Sequence, residues 1–297
     1  TTNRDPDMYP SRFRYEAPTT LTEAIDILST ADDAKVLAGG QSLIPMMKLR
    51  FASPATLVDI NNLPGLDSHG ADADGTYRIG ALCRHADLEK SATLAEHQPT
   101  LAAAAPLVAD PIVRTRGTFV GSVCHADPQG DWASCMVALD GSITATGPDG
   151  NRSIPVKEFV TGPFQTALRH NEIATEAVIP PPTGRRAGGY LKLERRVGDF
   201  ATAGVAVALE LSGGKVTKAG VGLTGVGGQT IDAADAAGAL VGSGLEPEAV
   251  AQAAALAAEA SKPRSDHRGS AAYKRQVVST FVTRILAGVQ RAEMQVA

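Results

Sequence analysis

Three prolines in a row, Pro180, Pro181 and Pro182, limit how this chain can fold more than any other feature of its sequence. Proline fixes φ, has no N–H to donate and pushes the residue before it out of the helical region. Neither a helix nor a central strand can run through such a run, so one structure must end before it and another must begin after it. Thr183-Gly184 adds a turn signal, and Pro64-Gly65 makes a second break upstream. A chain of 297 residues, at about 100–200 residues per domain, has room for two domains or three small ones. The breaks divide it into residues 1–64, 65–182 and 183–297.

Each piece has its own rhythm. In the first, Thr20-Leu21-Thr22-Glu23 opens an apolar helical pattern at Leu21, Ala24, Ile25 and Leu28. A short strand from Ala34 runs into Gly39-Gly40, a helix follows from Ser42, and Thr56 to Ile60 is a second strand. The second piece predicts a strand at Tyr77–Ala81 and helices at Arg84–Glu96, Pro99–Ala109 and Asp131–Leu139. Arg114–Cys124 reads as an irregular, glycine-bearing stretch. A hairpin turns at Gly147–Gly150, and Ile173–Ile179 is a last strand. The third piece predicts a three-stranded meander from Gly189 to Val226. Helices follow at Asp232–Val241, Pro247–Ala260 and Ala271–Ala292. The fold class expected is therefore mixed α/β, with a strand-then-helix α+β unit at the C-terminal end.

Net charge of −4 excludes a generic polybasic binder of nucleic acid or membrane surface. Three cysteines, Cys83, Cys124 and Cys135, form no CxxC, so neither a disulfide framework nor a zinc or iron–sulfur site made by this chain alone is expected. The longest apolar run, Leu101 to Ala109, is broken by Pro106 and too short to span a bilayer. The first ten residues are polar and lack the apolar core of a signal peptide. These features together read as a soluble cytoplasmic protein. The sequence begins on Thr1 and not on Met, which leaves its true start open, Met8 being one candidate.

Ala38-Gly39-Gly40-Gln41-Ser42 lies between a strand and a helix. Glycines there permit positive φ and a close approach of backbone to a ligand, and consecutive N–H groups at a helix start form an anion nest. Alone, the motif fits an ordinary β-to-α turn at least as well as a phosphate cradle. Arg116-Gly117-Thr118-Phe119-Val120-Gly121-Ser122 offers a second loop of small residues and hydroxyls, leading into Asp127 and Asp131. One reading is a second diphosphate cradle with Asp131 on a ribose hydroxyl; the other is a surface loop. Two such loops in one chain favour a dinucleotide held between domains.

Other constellations fare worse. Cys124, His125, Asp127, Asp131 and Cys135 match no metal-ligand spacing, so no metal site is assigned. No G-x-S-x-G elbow supports a serine hydrolase. Gly220-Val221-Gly222-Leu223-Thr224-Gly225 fits GxGxxG but lies within a meander strand with no helix directly after it. It reads as a strand whose glycines let another backbone pack closely. Tyr190 and Lys192 share one face of a strand, either covering a cofactor ring or forming a solvated edge. Ser265-Asp266-His267-Arg268 reads as a helix-entry loop with Asp266 or Ser270 as cap.

Four stretches in order resemble one family. KVLAGGQSLIPMMKLR (35–50), RGTFVGSVCHADP (116–128), YLKLERRVGDFA (190–201) and SDHRGSAAYKR (265–275) are similar to the flavoprotein medium subunits of molybdenum-containing hydroxylases, above all those of carbon monoxide dehydrogenases. The likeness runs from about Tyr9 to Leu286. It implies a two-part FAD-binding domain of the vanillyl-alcohol-oxidase-like, PCMH type, followed by a C-terminal α+β domain with a three-stranded sheet and helices. By matching position it implies that Val36, Leu37, Ala38, Gly39, Gly40, Gln41, Ser42 and Leu43 hold the FAD diphosphate. Thr118, Phe119, Val120, Gly121 and Ser122 do the same from the second stretch, with Asp127 at its end. Asp131 falls at the adenosine ribose, Tyr190 and Lys192 near the flavin ring, and Ala174 or a neighbour in the ring pocket. Two positions depart from the family. Gln41 stands where relatives often have His, and both side chains hydrogen-bond. Val120 stands where relatives have a second glycine, so a negative φ at Val120 or a shifted loop is expected.

The resemblance implies an electron-transfer subunit with no catalytic acid, base or nucleophile of its own. Its implied partners are a large molybdenum-cofactor subunit and a small [2Fe–2S] subunit, assembled as a dimer of heterotrimers. An external acceptor, with a quinone among the candidates, takes the electrons. The whole would be cytoplasmic, with the inner membrane face open to it through the complex. Nucleic acid is not an implied partner. The alternatives are the flavin subunit of an N-heterocycle, purine or aldehyde hydroxylase, a stand-alone flavin oxidase, and a flavin-free scaffold.

Overall fold

The first helix shows how the sequence is translated locally. Thr20 caps it, its hydroxyl accepting from the Glu23 N–H at 3.2 Å, while the Glu23 carboxylate accepts from Thr19 N at 2.9 Å. Ala24, Ile25 and Leu28 then form the buried stripe of α1 (Leu21–Thr30). In this computed structural model, which describes residues 9–296, α1 belongs to a small N-terminal layer. That layer also holds β1 (Arg14–Glu16), β2 (Ala34–Leu37), α2 (Leu43–Lys48) and β3 (Thr56–Asp59). The strands form a parallel sheet in the order β1-β3-β2, so the turn after β2 leaves from a carboxyl end of a parallel sheet. Met8, the candidate start, lies outside the described residues.

The middle segment begins with β4 (His69–Ala71) and β5 (Tyr77–Gly80). The helix expected over Arg84–Glu96 is two helices, α3 (His85–Glu89) and α4 (Ala92–His97), because the Ser91 hydroxyl accepts from Leu94 N and starts a new turn. Next come α5 (Pro99–Ala104) and α6 (Pro111–Arg114). The stretch expected to be irregular then contains α7 (Phe119–His125). Thr118 caps α7, and Phe119, Val120 and Val123 bury one helical stripe. Gly121 sits inside this helix because a Cβ there would come within 2.5 Å of the capping hydroxyl.

α8 (Asp131–Ala138) carries Trp132 into the core. β6 (Ser142–Gly147) and β7 (Gly150–Pro155) form the expected hairpin. After them come α9 (Val156–Phe159), a small hairpin of β8 (Val160–Gly162) and β9 (Gln165–Thr166), and β10 (Ile173–Ile179). The sheet order is β4-β5-β10-β6-β7. One hydrophobic core unites this sheet with α1 and β3 of the first layer.

After the prolines, β11 (Arg185–Leu193), β12 (Ala203–Ser212) and β13 (Lys215–Thr224) form the meander. A short edge strand, β14 (Ile231–Asp232), makes the sheet four-stranded where three strands were expected. α10 (Ala234–Gly238), α11 (Pro247–Ala260) and α12 (Ala271–Val296) complete a second core. Of the two capping candidates before α12, Ser270 takes the role by accepting from Tyr273 N at 3.1 Å, while Asp266 pairs with Lys274 at 2.7 Å.

The far face of the meander lies against α5 and α8 of the middle segment. The Gly220–Gly225 stretch explains how. A Cβ at Gly220 would fall 1.9 Å from the Ala138 carbonyl, and one at Gly222 would fall 2.0 Å from that of Ser134. The glycines of the misleading GxGxxG are there so that β13 can lie directly on the backbone of α8.

Candidate functional site: a cleft between two glycine loops

Where the N-terminal layer meets the middle segment, a cleft of about 750 Å³ opens, within the range of about 300–1,000 Å³ usual for small-molecule sites. The turn after β2 forms one wall. Gly40 has φ +71°, which an L side chain rarely adopts. Gly39 serves a different need: a Cβ there would come 2.4 Å from the Arg116 carbonyl and 2.8 Å from Gly117 Cα, so the two glycine loops touch at this point. Among the described residues, the N–H groups of Gly39, Gly40, Gln41, Ser42 and Leu43 have no acceptor in the protein. They form a row of free donors on a cleft wall, as an anion requires.

The start of α7 forms the facing wall. Thr118 spends its hydroxyl on Gly121 N, at 3.2 Å, and its carbonyl accepts from Ser122 N. Val120 is the second residue of the helix and is not in the positive-φ region, which is how the chain accommodates a valine there. Phe119 does not line the cleft. Its ring packs on Trp132 at a centroid distance of 4.6 Å, and its N–H is bound to the Cys83 carbonyl.

Asp131, Tyr190 and Lys192 come together at one end. The Tyr190 hydroxyl donates to one carboxylate oxygen of Asp131 at 2.6 Å, and Lys192 Nζ lies 3.1 Å from the other. Lys192 also donates to the Leu107 carbonyl at 2.7 Å and stands 3.5 Å from Glu194. Burial raises the Asp131 carboxyl pKa, with Lys192 and Tyr190 opposing the shift. Burial also holds the Tyr190 phenol far above its ordinary range. Asp131 and Lys192 line the cleft, whereas Tyr190 sits behind them and braces the carboxylate. The loop before Asp131 is held from the C-terminal sheet, Thr224 donating to the Gly130 carbonyl at 2.6 Å.

The remaining expected residues, from Val36 through Leu43 and at Gly121, Ser122, Asp127 and Ala174, all border the same cleft. Gln41 turns its amide back on the Gly39 carbonyl at 3.3 Å. Sequence reasoning passed over the scaffold behind the loops. Asn61 donates to the Ala38 carbonyl at 2.8 Å, and Arg84 donates both to Asn61 and to the Arg116 carbonyl. Arg84 thus ties the first loop to the second. His85 and Trp132 lie beside it, linked by a 3.1 Å hydrogen bond. Each of these residues is a single polar or aromatic position with no local pattern, so the sequence carried no signal of their meeting. On the rim, Phe164 and Phe200 are each about half exposed, and Phe164 packs on His125.

Among the described residues no group of three or more His, Cys, Asp or Glu side chains could hold a metal ion. No helix there is long and apolar enough to cross a membrane. Burial pushes the Cys83 and Cys124 thiols up to about 12, so neither is a thiolate at neutral pH.

A row of free backbone donors on one glycine loop, facing a capped helix start across a long cleft, fits a dinucleotide-binding protein of the two-lobed flavoprotein type. Residues 11–182 match the family described as the FAD binding domain in molybdopterin dehydrogenase, and residues 189–289 match the CO dehydrogenase flavoprotein C-terminal domain. The carbon monoxide dehydrogenase medium chain of Hydrogenophaga pseudoflava is 40% identical over 281 residues, 94% of this chain and 97% of that one. The nicotine 6-hydroxylase medium subunit of Paenarthrobacter nicotinovorans is 36% identical over 276 residues, 92% and 96% of the two chains. A solved structure of the Hydrogenophaga pseudoflava carbon monoxide dehydrogenase superposes with a TM-score of 0.90 over 95% of this chain and 98% of that one, at 40% identity. The chain belongs to the FAD-binding medium subunits of molybdenum-containing hydroxylases, and FAD is its cofactor. The donor set fits that cofactor: free N–H groups for a diphosphate, a cleft of sufficient volume, and glycines where backbone must close around it.

Proposed function

We propose that this chain is the electron-transfer flavin subunit of an aerobic carbon monoxide dehydrogenase. Its partners in this reading are a large subunit carrying molybdenum and a small subunit carrying [2Fe–2S] clusters, in a dimer of heterotrimers. Electrons from the iron–sulfur partner reach FAD and leave to an external acceptor, a quinone being one candidate. FAD supplies the redox chemistry. The chain's own residues bind and orient: the loops at 39–43 and 118–122 hold the diphosphate, and Asp131 receives the adenosine ribose. Lys192, paired with Asp131 at 3.1 Å, belongs to that same end of the cleft and not to the flavin ring where the family likeness put it, because the diphosphate and ribityl chain separate the two ends of FAD.

The observation that carries this reading is the end-to-end likeness, in both domains, to the carbon monoxide dehydrogenase medium chain. The cleft itself supports a binding role over a catalytic one. Asp131 is already committed to Lys192 and Tyr190, and burial holds the neighbouring His85 neutral. The second reading, the flavin subunit of an N-heterocycle hydroxylase, is supported by 36% identity to the nicotine 6-hydroxylase medium subunit. The deciding experiment is to purify the native complex, measure its molybdenum, iron and flavin, and follow flavin bleaching under carbon monoxide or an N-heterocycle. Bleaching by the heterocycle alone moves the assignment to the second reading. An isolated chain that turns over a substrate without metal replaces both with a stand-alone oxidase.

A further inference from the structure

His85 occupies a position that loop geometry alone does not require. The imidazole is buried, with 4% of the residue's surface exposed, and it borders the cleft. Its Nδ1 lies 3.1 Å from the Trp132 indole nitrogen. An indole N–H only donates, so Nδ1 must accept, and the proton of a neutral ring is then on Nε2. Among the described residues Nε2–H has no acceptor: the one hydrogen bond of the side chain is that to Trp132. The fully buried orphan side-chain atoms among the described residues belong to Gln98, Glu194 and Thr202, so Nε2 of this otherwise buried ring opens onto the cleft and is available to a ligand there.

The Nε2–Cδ2 edge of the ring lies at the seam of the two loops. A Cβ at Gly117 would come 2.8 Å from Cδ2 and 2.9 Å from Nε2, and Gly117 Cα is also what a Cβ on Gly39 would strike. The main chain is fastened to the same seam, since His85 N donates to the Gly117 carbonyl at 3.0 Å. The unpartnered N–H therefore sits where the free donors of the first loop meet the start of α7.

We infer that His85 is a hydrogen-bond donor to the diphosphate of the bound dinucleotide, its Nε2–H aimed by the Trp132 indole. The inference rests on the assignment of the cleft to FAD. Burial lowers the imidazole pKa to about 4, with the Arg114 and Arg84 guanidinium groups adding to the shift, so the ring stays neutral and its one proton stays on Nε2 at neutral pH. Trp132 is then a positioning residue. Its neighbour Asp131 is at the ribose in the proposed function, so adjacent residues on one helix would serve adjacent parts of one ligand.

The test uses the full chain, stripped of FAD and titrated with it by flavin fluorescence. His85→Phe keeps an aromatic ring and removes both nitrogens, and His85→Gln restores an amide donor. The expected result is a loss of affinity of about ten- to hundredfold in His85→Phe, with most of it recovered in His85→Gln. In the wild-type chain, ¹⁵N spectra of the imidazole should show the Nε2–H form, and its Hε2 resonance should move downfield when FAD binds. Wild-type affinity in His85→Phe, an Nδ1–H ring, or an Hε2 signal indifferent to FAD would overturn the inference. Should His85→Phe fail to fold, the wild-type spectra decide. A wild-type chain that binds no FAD is a separate result, which overturns the cofactor assignment instead.

Discussion

Asp131 shows how one residue can belong to two structures at once. It begins α8, borders the cleft, and binds two side chains from the first strand of the C-terminal domain. Removing its carboxylate leaves Lys192 as a buried cation short of its main partner. Asp131→Ala should destabilise the fold by about 3–5 kcal/mol, read by denaturant unfolding, and should weaken FAD binding. Unchanged flavin affinity in a folded variant would count against a ribose role. His85 predicts a pH dependence. In the unfolded chain it takes up a proton near its ordinary value of 6.5, and in the folded chain only near 4. The unfolded state therefore binds the extra proton between these values. The contribution is fully present above pH 6.5 and is lost as pH falls toward 4, by about 3 kcal/mol in all. Stability curves of wild type and His85→Gln from pH 7 to 4 should diverge by that amount, with the wild type steeper. Parallel curves would show that the ring is not held neutral.

At the scale of elements, β2 with its glycine turn was legible and α7 was not. A strand running into Gly-Gly and out into a helix is a local pattern, and each part is decided by near neighbours. α7 was obscured by its glycine: Gly121 reads as a breaker, yet it serves the cap by leaving room for the Thr118 hydroxyl. Helix propensity lost there is offset by burial of Phe119, Val120 and Val123. The contact between loops was hidden for another reason, because residues 39 and 116 are brought together only by folding. Gly39→Ala places a methyl group against a backbone carbonyl, which cannot rotate away as a side chain could. It should cost about 1–3 kcal/mol and part the loops, lowering FAD affinity while leaving the C-terminal core intact. Flavin titration together with proteolysis of the C-terminal domain would check this. A variant that binds FAD normally would mean that the loops have slack.

For the whole molecule, the interface between the meander and α8 is the element most dependent on tertiary structure. Gly222→Ala would set a methyl group 2.0 Å from the Ser134 carbonyl, so β13 could no longer lie on the helix. Because the same sheet holds the loop ahead of Asp131 through Thr224, the strain should reach the cleft. The expected outcome is loss of cooperative unfolding, with the C-terminal domain melting apart from the rest, and a weaker hold on FAD. A single transition at the wild-type temperature would exclude that coupling. The sequence alone determined the break between β10 and β11 at the three prolines, the order of most strands and helices, and which two stretches are candidates for the cleft. These follow from short-range chemistry: periodicity, caps, turns and the missing N–H of proline. Only the tertiary structure decided that the loops touch, that Arg84 and Asn61 tie them together, and that Tyr190 stands behind Asp131 while Lys192 reaches the cleft. Those contacts join residues tens of positions apart, and their energies exist only once packing has excluded water and fixed which polar group each one faces.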